Sequence, residues 1–148
     1  MASDTGDLQR TPLAELHVER GARMVPFAGW EMPVQFEGTL AEHRGTRAHA
    51  GLFDVSHMGQ VLLLGAGAAE ALEKLVPQAL LGLREGRQRY AFFTDDDGGV
   101  LDDLMIAAQP GRLFLVVNAA RAADDLKHLA AHLSTIEILP VADRALLA

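Results

Sequence analysis

Two strand-like segments joined by a turn constrain the fold of this chain most. Residues 89–94 and 100–108 are rich in apolar and aromatic side chains, and Asp-Asp-Asp-Gly-Gly separates them at 95–99. Glycine accepts the positive φ angles of tight turns, and aspartate favours turns through its short side chain. The pattern therefore predicts a β-hairpin.

The rest of the chain alternates between helical and strand-like patterns. Residues 119–133 place Leu126, Leu129 and Leu133 on one face at helical spacing. Shorter helices are predicted over 11–19, where Thr11 is the expected N-cap, and over 39–50 and 66–75. Further strands are predicted over 23–27, 55–64, 113–117, 136–139 and from Arg144 onward, with an apolar loop over 29–36. Helices set between antiparallel strands indicate an α+β fold, with helices packed on antiparallel sheets.

The domain organisation follows from length and local composition. The 148 residues suffice for one domain with a real core. Residues 1–10 are polar and acidic and predict a disordered tail, which leaves 11–148 as the folded part. The last residues, Leu146 to Ala148, resemble an unfinished apolar strand, so we expect a truncated chain.

Composition excludes several functional classes. There is no cysteine, which removes disulfides, thiolate nucleophiles and cysteine-based metal sites. The net charge of −7 repels phosphate backbones, so we expect no nucleic-acid partner. No apolar run is long enough for a membrane helix, and the start lacks a signal peptide or presequence. These features, with arginine strongly preferred over lysine, favour a cytoplasmic bacterial protein.

Two adjacent carboxylates, Asp102 and Asp103, interrupt the apolar segment 100–108. Neighbouring strand residues point to opposite faces, so the two cannot act as one catalytic dyad. An unpaired buried carboxylate costs several kcal/mol, so at least one should meet a polar partner, a cleft or a ligand. The pattern alone leaves open that both lie in water at the hairpin mouth.

Other chemistry-bearing residues carry weaker signals. His128 and His132 are one helical turn apart but lack a third ligand, so we expect solvated histidines and no metal site. Asn118 ends a strand-like segment, where it is expected to cap the following helix. Tyr90, the only tyrosine, is a candidate for stacking on a flat ligand.

Four segments in a fixed order carry a family resemblance. They are Arg23–Phe36 (RMVPFAGWEMPVQF), Glu42–Gln60 (EHRGTRAHAGLFDVSHMGQ), Arg87–Met105 (RQRYAFFTDDDGGVLDDLM) and Leu113–Ala120 (LFLVVNAA). Their sequence and spacing resemble the N-terminal region of the T-protein of the glycine cleavage system, an aminomethyltransferase family. The resemblance extends from Thr11 to the end of the chain.

The resemblance implies a folate-dependent enzyme. Members of this family take an aminomethyl group from the lipoyl arm of the H-protein and pass its methylene to tetrahydrofolate, with release of ammonia. By likeness of position, Asp103 is the catalytic carboxylate beside the reactive folate nitrogens. Asp103 itself and four further residues are implied to bind the cofactor: Met58, Tyr90, Met105 and Asn118.

The resemblance also carries reservations and alternatives. Ala107 stands where the family commonly has tyrosine, so one pocket wall is either more open or filled from elsewhere. Family members are about two and a half times as long as this chain, so residues 1–148 alone are expected to turn over weakly or not at all. The alternatives are a folate domain related to sarcosine or dimethylglycine dehydrogenases, a folate-binding iron–sulfur repair protein, or a non-enzymatic folate-binding module.

Overall fold

The structure is a computed structural model that describes residues 8–148. These residues form eight strands and four helices. In chain order they are β1 (Gln9–Arg10), α1 (Ala14–Glu19), β2 (Arg23–Phe27), β3 (Trp30–Gln35), α2 (Thr39–Ala48), β4 (Gly59–Leu64), α3 (Ala68–Leu72), β5 (Gln88–Thr94), β6 (Val100–Gln109), β7 (Arg112–Val117), α4 (Ala122–His132) and β8 (Glu137–Pro140). The mixture of helices with mainly antiparallel sheets confirms the α+β prediction.

The described chain divides into two compact units. One runs to His57 and includes Asp143–Ala148, and the other is Met58–Ala142. The sequence predicts a single domain over 11–148, because no linker-like composition marks a boundary near His57.

The first unit contains a three-stranded sheet in the order β1-β3-β2. The prediction of a loop over 29–36 is wrong, because Trp30–Gln35 form β3 and pair with β2 along its length. Pro33 misled that prediction. Within residues 8–148, β1 pairs only with Trp30 and Glu31, so no described strand pairs with that edge of β3 beside Pro33, where a missing N–H is tolerated.

Part of the predicted N-terminal tail is ordered structure. Residues 1–7 lie outside the described part of the chain, but Gln9 and Arg10 form β1 and run parallel to β3. The Arg10 guanidinium is 2.9 Å from the Glu31 carboxylate and also pairs with Glu15. The disordered-tail prediction is therefore wrong for Gln9 and Arg10. Their partners lie further along the chain, and a polar local composition does not reveal them.

A buried carboxylate, Asp54, organises the polar interior of the first unit. Thr11 Oγ1 donates to Asp54 Oδ2 at 2.9 Å, and His17 Nε2 lies 2.8 Å from the same oxygen. The Ser56 N–H donates to Asp54 Oδ1 at 2.9 Å. Thr11 therefore does not cap α1 through its side chain. That helix begins at Ala14, with Leu13 at its N-cap.

The final residues pair with an earlier segment of the same unit. The Phe53 N–H donates to the Ala148 carbonyl at 2.9 Å, and the Ala148 N–H donates back to Phe53 at 3.0 Å. The strand predicted from Arg144 onward is reduced to one isolated bridge between Asp54 and Leu147.

The second unit is built on a five-stranded sheet in the order β5-β6-β7-β4-β8. The predicted hairpin is confirmed, since β5 and β6 pair antiparallel with Phe92 opposite Asp103 and Tyr90 opposite Met105. Asp95 Oδ1 accepts the Gly99 N–H at 2.6 Å inside the turn. Gly98 has φ +83°, a conformation that side chains with a Cβ rarely adopt.

The core of the second unit lies on the face of the sheet covered by α3 and α4. Strand residues that alternate along β4 to β7 pack there against helix residues, and the fully buried members include Leu63, Leu72, Phe93, Leu104, Ile106, Leu115 and Leu129. Burying a side chain of this size contributes roughly 1.5–3 kcal/mol. On the other face, Phe92, Asp103, Met105, Phe114 and Val116 remain only partly buried. The predicted site residues of β6, Asp103 and Met105, lie on that second face.

The described residues contain neither a membrane-spanning helix nor a grouped set of metal ligands. Over 8–148, no helix is long and apolar enough to cross a membrane. In the same part of the chain, no three histidine, aspartate or glutamate side chains are grouped to hold a metal ion.

Candidate functional site

Strand β6 presents its two aspartates to opposite faces of the sheet, as the alternation of strand residues predicts. Asp102 shares its face with the buried Leu104 and Ile106. Asp103 shares the other face with Met105 and is partly buried. Neither carboxylate is left in open solvent at the hairpin mouth, so the solvated alternative for this pair is wrong.

One amide group ties the two aspartates together. Asn118 Nδ2 donates to Asp102 Oδ1 at 2.9 Å and to Asp103 Oδ1 at 3.1 Å, and it lies 3.1 Å from the Asp103 carbonyl oxygen. Three acceptors around one atom identify that atom as the amide nitrogen. The expected helix cap is therefore wrong: α4 has Arg121 at its N-cap, without a side-chain cap.

Tyr90 supplies a second donor to Asp103. Its hydroxyl hydrogen-bonds the Asp103 carboxylate, and this bond, followed by burial and the charges of both aspartates, raises the pKa of Tyr90 above its ordinary value. The phenol therefore stays protonated and able to donate at neutral pH. Its ring packs edge-on against Phe92, with centroids 5.1 Å apart, and 52% of the residue is exposed.

The two methionines are placed by strand register. Met105 lies opposite Tyr90 on β5 and Val116 on β7, on the face that carries Asp103. Met58 immediately precedes Gly59, which pairs with Val117 just before Asn118. Gly59 admits no side chain, because a Cβ there would lie 2.6 Å from Val117 Cγ2. Contacts and register thus bring Tyr90, Asp103, Met105 and Asn118 together, while Met58 is placed near them by register alone.

The position where the family pattern expects a tyrosine has an aromatic neighbour. Ala107 lies directly opposite Phe114 on β7, on the same partly buried face as Asp103. The small side chain of Ala107 therefore has an aromatic residue as its cross-strand neighbour. The two alternatives for that wall, more open or filled from elsewhere, both stay predictions.

Asp125 belongs to the same polar cluster and was missed from the sequence. It lies in the first turn of α4, is 3% exposed, and its carboxyl group lies within hydrogen-bond reach of that of Asp102. Burial, followed by the nearness and charge of Asp102, raises the pKa of Asp125 to about 7. A signal was present: Asp125, Leu129 and Leu133 follow helical spacing, so an acid lies on the apolar face.

Of the two histidines of α4, His132 is exposed as expected, whereas His128 is partly buried. The His128 ring packs edge-on against the buried Phe93 at 5.3 Å, and burial lowers the pKa of His128. His132 Nδ1 lies 2.8 Å from the His128 carbonyl oxygen. Both line a surface cavity of about 560 Å³ together with Lys74, Asp95, Asp96 and Leu101. That cavity touches none of the predicted site residues, so we place the candidate site at Asp103.

Comparison with known proteins identifies the class of this fold. The family model described as the GCVT N-terminal domain matches residues 13–148, so the chain belongs to that family. The structure superposes on the crystal structure of glycine cleavage system aminomethyltransferase T from Bartonella henselae with a TM-score of 0.89 and 38% identity. The match covers 95% of this chain and 40% of that one.

Curated relatives agree with the structural match. The chain is 48% identical over 134 residues to an aminomethyltransferase of Rubrobacter xylanophilus, covering 90% of this chain and 36% of that protein. It is 44% identical over 128 residues to the mitochondrial aminomethyltransferase of Dictyostelium discoideum, covering 86% and 32% respectively. The chain thus spans about a third of the length of these relatives.

Proposed function

We propose that this chain supplies the catalytic carboxylate of a tetrahydrofolate-dependent aminomethyltransferase of glycine cleavage. In this proposal Asp103 lies beside the reactive nitrogens of tetrahydrofolate, which accepts the methylene group from the aminomethyl-lipoyl arm of the H-protein. The observation that carries the proposal is the setting of Asp103: a partly buried carboxylate with two donors, Asn118 and Tyr90, on an apolar sheet face of this family's fold.

The reaction balance explains why a carboxylate is needed. The carbon–sulfur bond of the lipoyl adduct and the bond from its methylene carbon to the amine nitrogen both break, and the methylene carbon forms two new bonds to folate nitrogens. The hydrogens of those two nitrogens end on the lipoyl sulfur and on the departing ammonia. A negative charge fixed beside the methylene stabilises the positive charge that develops as the carbon–sulfur bond breaks. The same carboxylate can accept a folate proton and return it.

The neighbours of Asp103 suit an aromatic, polar-edged ligand. Met105 offers polarisable apolar surface next to the carboxylate, and the Tyr90 ring is half exposed beside it. The Asn118 nitrogen is committed to the aspartates, so only its side-chain oxygen remains to accept a bond from folate. Met58, which precedes the first residue of β4, is proposed as a further contact from its place in the strand register. These four residues form the proposed folate contacts within the chain.

Replacement of the carboxylate tests the proposal in the protein expressed from its complete reading frame. We expect Asp103→Asn to lower aminomethyl transfer by about 100-fold or more, because the amide carries no charge. Tetrahydrofolate binding should be largely retained. Asp97→Asn, in the exposed hairpin turn, is the matched control and should be fully active. Unchanged turnover in Asp103→Asn would refute the catalytic role and favour a folate-binding module.

The isolated chain should be a poor enzyme. Its relatives carry about two thirds of their length outside the matched region, so parts of a folate site and of an H-protein surface are expected there. We expect weak or no turnover by residues 1–148 with lipoylated H-protein and tetrahydrofolate. Efficient transfer by residues 1–148 alone would contradict this expectation.

A further inference from the structure

The buried acid of helix α4, Asp125, lacks the full set of hydrogen-bond donors that usually accompanies a buried carboxylate. Asp125 is 3% exposed, and Asp125 Oδ2 has no hydrogen-bond donor among the described residues. An ionised carboxylate in that position loses its hydration without gaining a partner, which costs several kcal/mol. The carboxyl group of Asp125 is therefore either protonated and neutral, or its burial serves a function.

The facing carboxyl group has the same deficiency. Asp102 Oδ1 accepts a hydrogen bond from Asn118, but Asp102 Oδ2 is buried and meets no donor in the described part of the chain. The Asp102 and Asp125 side chains lie within hydrogen-bond reach of each other. Two ionised carboxylates present only acceptors, so the bond between them requires one proton.

The surrounding charges leave that proton in place. Asp102 on β6 and Asp124 on α4 both favour protonation of Asp125, and Arg121 alone opposes it. The Arg121 guanidinium binds the exposed Asp124 carboxylate at 3.1 Å, in a pair about half open to solvent. No described cation lies within ion-pair distance of Asp102 or Asp125, and burial keeps the pKa of Asp125 near 7.

The proton shared by Asp102 and Asp125 also affects the position of Asp103, because the Asn118 amide contacts both Asp102 and Asp103. Asn118 Nδ2 holds Asp102 at 2.9 Å and Asp103 at 3.1 Å. If Asp102 and Asp125 were both ionised, their repulsion would push Asp102 away from the helix and disturb the Asn118 amide. A displacement of about 1 Å in a reacting group can cost about 100-fold in rate.

We propose that Asp125 is a positioning residue that shares one proton with Asp102, and that this pair fixes Asn118 and thereby the carboxylate of Asp103. The inference rests on the proposed function, since it gives Asp125 a role only if Asp103 is catalytic. It differs from a packing role because it requires a proton at a defined place. Asp125→Asn keeps a donor without the proton equilibrium, whereas Asp125→Ala removes the donor.

Infrared spectroscopy of the protein expressed from its complete reading frame tests the shared proton directly. We expect a protonated-carboxyl C=O band that disappears as the pH rises through about 7. The band should be absent from Asp125→Asn and present in the control Asp124→Asn, whose carboxylate is exposed. A wild-type spectrum without this band, or an identical spectrum in Asp125→Asn, would overturn the proposal.

Kinetics on the same proteins separate positioning from stability. Wild-type kcat should fall over the pH range in which the band disappears, whereas Asp125→Asn should be active with that fall removed. Asp125→Ala should lose about 10- to 100-fold in kcat with little change in KM for folate. If Asp125→Ala does not fold, the pH dependence of kcat in Asp125→Asn provides the test. A dependence like that of the wild type would refute the positioning role of Asp125.

The outcome is distinguishable from failure of the proposed function. If Asp103→Asn retains full turnover while the infrared band behaves as expected, the proposed function fails and the proton pair is merely structural. If Asp103→Asn is inactive and the band is missing from the wild type, the proposed function stands and the role of Asp125 is rejected.

Discussion

Two polar clusters built around buried or partly buried carboxylates, one in each compact unit, show how the environment sets the role of the same residue type. Asp54 in the first unit has a side chain only 1% exposed, yet Thr11, His17 and Ser56 all direct donors at it. Burial raises the pKa of Asp54, but hydrogen bonds from Ser56, His17 and Thr11 outweigh it and lower the pKa. Asp54 is a satisfied anion that stabilises its unit.

The cluster in the second unit is short of donors. Three carboxyl groups, those of Asp102, Asp103 and Asp125, share the Asn118 amide and the Tyr90 hydroxyl. A cluster with more acceptors than donors either keeps a proton or binds one from a ligand. We therefore propose that the Asp54 cluster stabilises its unit and that the Asp103 cluster carries the chemistry.

The largest expected effect is on the stability of the first unit. Asp54→Ala leaves three buried donors without an acceptor, and we expect a loss of about 3 kcal/mol in the free energy of unfolding. Urea unfolding of the chain measures it. Asp143→Ala is the matched control, because that carboxylate is 86% exposed, and it should change stability by under about 0.5 kcal/mol. If Asp54→Ala lowers the free energy of unfolding no more than Asp143→Ala does, Asp54 does not stabilise the first unit.

A smaller expected effect is on the pH dependence of stability, to which Asp54 and Asp125 contribute with opposite sign. The lowered pKa of Asp54 stabilises the fold above its ordinary value near 4, and this contribution is lost as the pH falls through the folded pKa. The raised pKa of Asp125 acts oppositely: its contribution is complete below about 4 and is lost as the pH rises to about 7.

Asp125→Asn should therefore flatten the decline in stability between about pH 4 and pH 7. Unfolding free energies at several pH values provide the measurement. Asp124→Asn should keep the decline. Parallel curves for wild type and Asp125→Asn would show that Asp125 is ionised in both the folded and unfolded chains.

The smallest effect concerns the contact between Tyr90 and Asp103. Tyr90 is the only tyrosine, so absorbance titration of the phenolate reports its pKa alone. We expect a value above 10 that falls toward 10 in Asp103→Asn, where the accepting charge is removed. Asp102→Asn should lower it less, because that charge acts at longer range. Equal values in all three proteins would mean that Tyr90 does not donate to Asp103.

Local patterns in the sequence predicted the hairpin and the alternation of β6. The turn at 95–99 and the opposite faces of Asp102 and Asp103 depend only on neighbouring residues, and both are present. The roles of Asn118 and Thr11 were mispredicted as helix caps, because their partners lie 16 and 43 residues away. Asp125 was missed for a similar reason, since its partner is on another element.

The most direct test of the central claim is the environment of the folate nitrogens. Tetrahydrofolate labelled with ¹⁵N at its reactive nitrogens would be bound to the protein from the complete reading frame, to Asp103→Asn, and to the control Asp97→Asn. A carboxylate against these nitrogens predicts a resonance shift on binding that is kept in Asp97→Asn and largely lost in Asp103→Asn. The same bound shift in all three proteins would contradict the placement of folate beside Asp103.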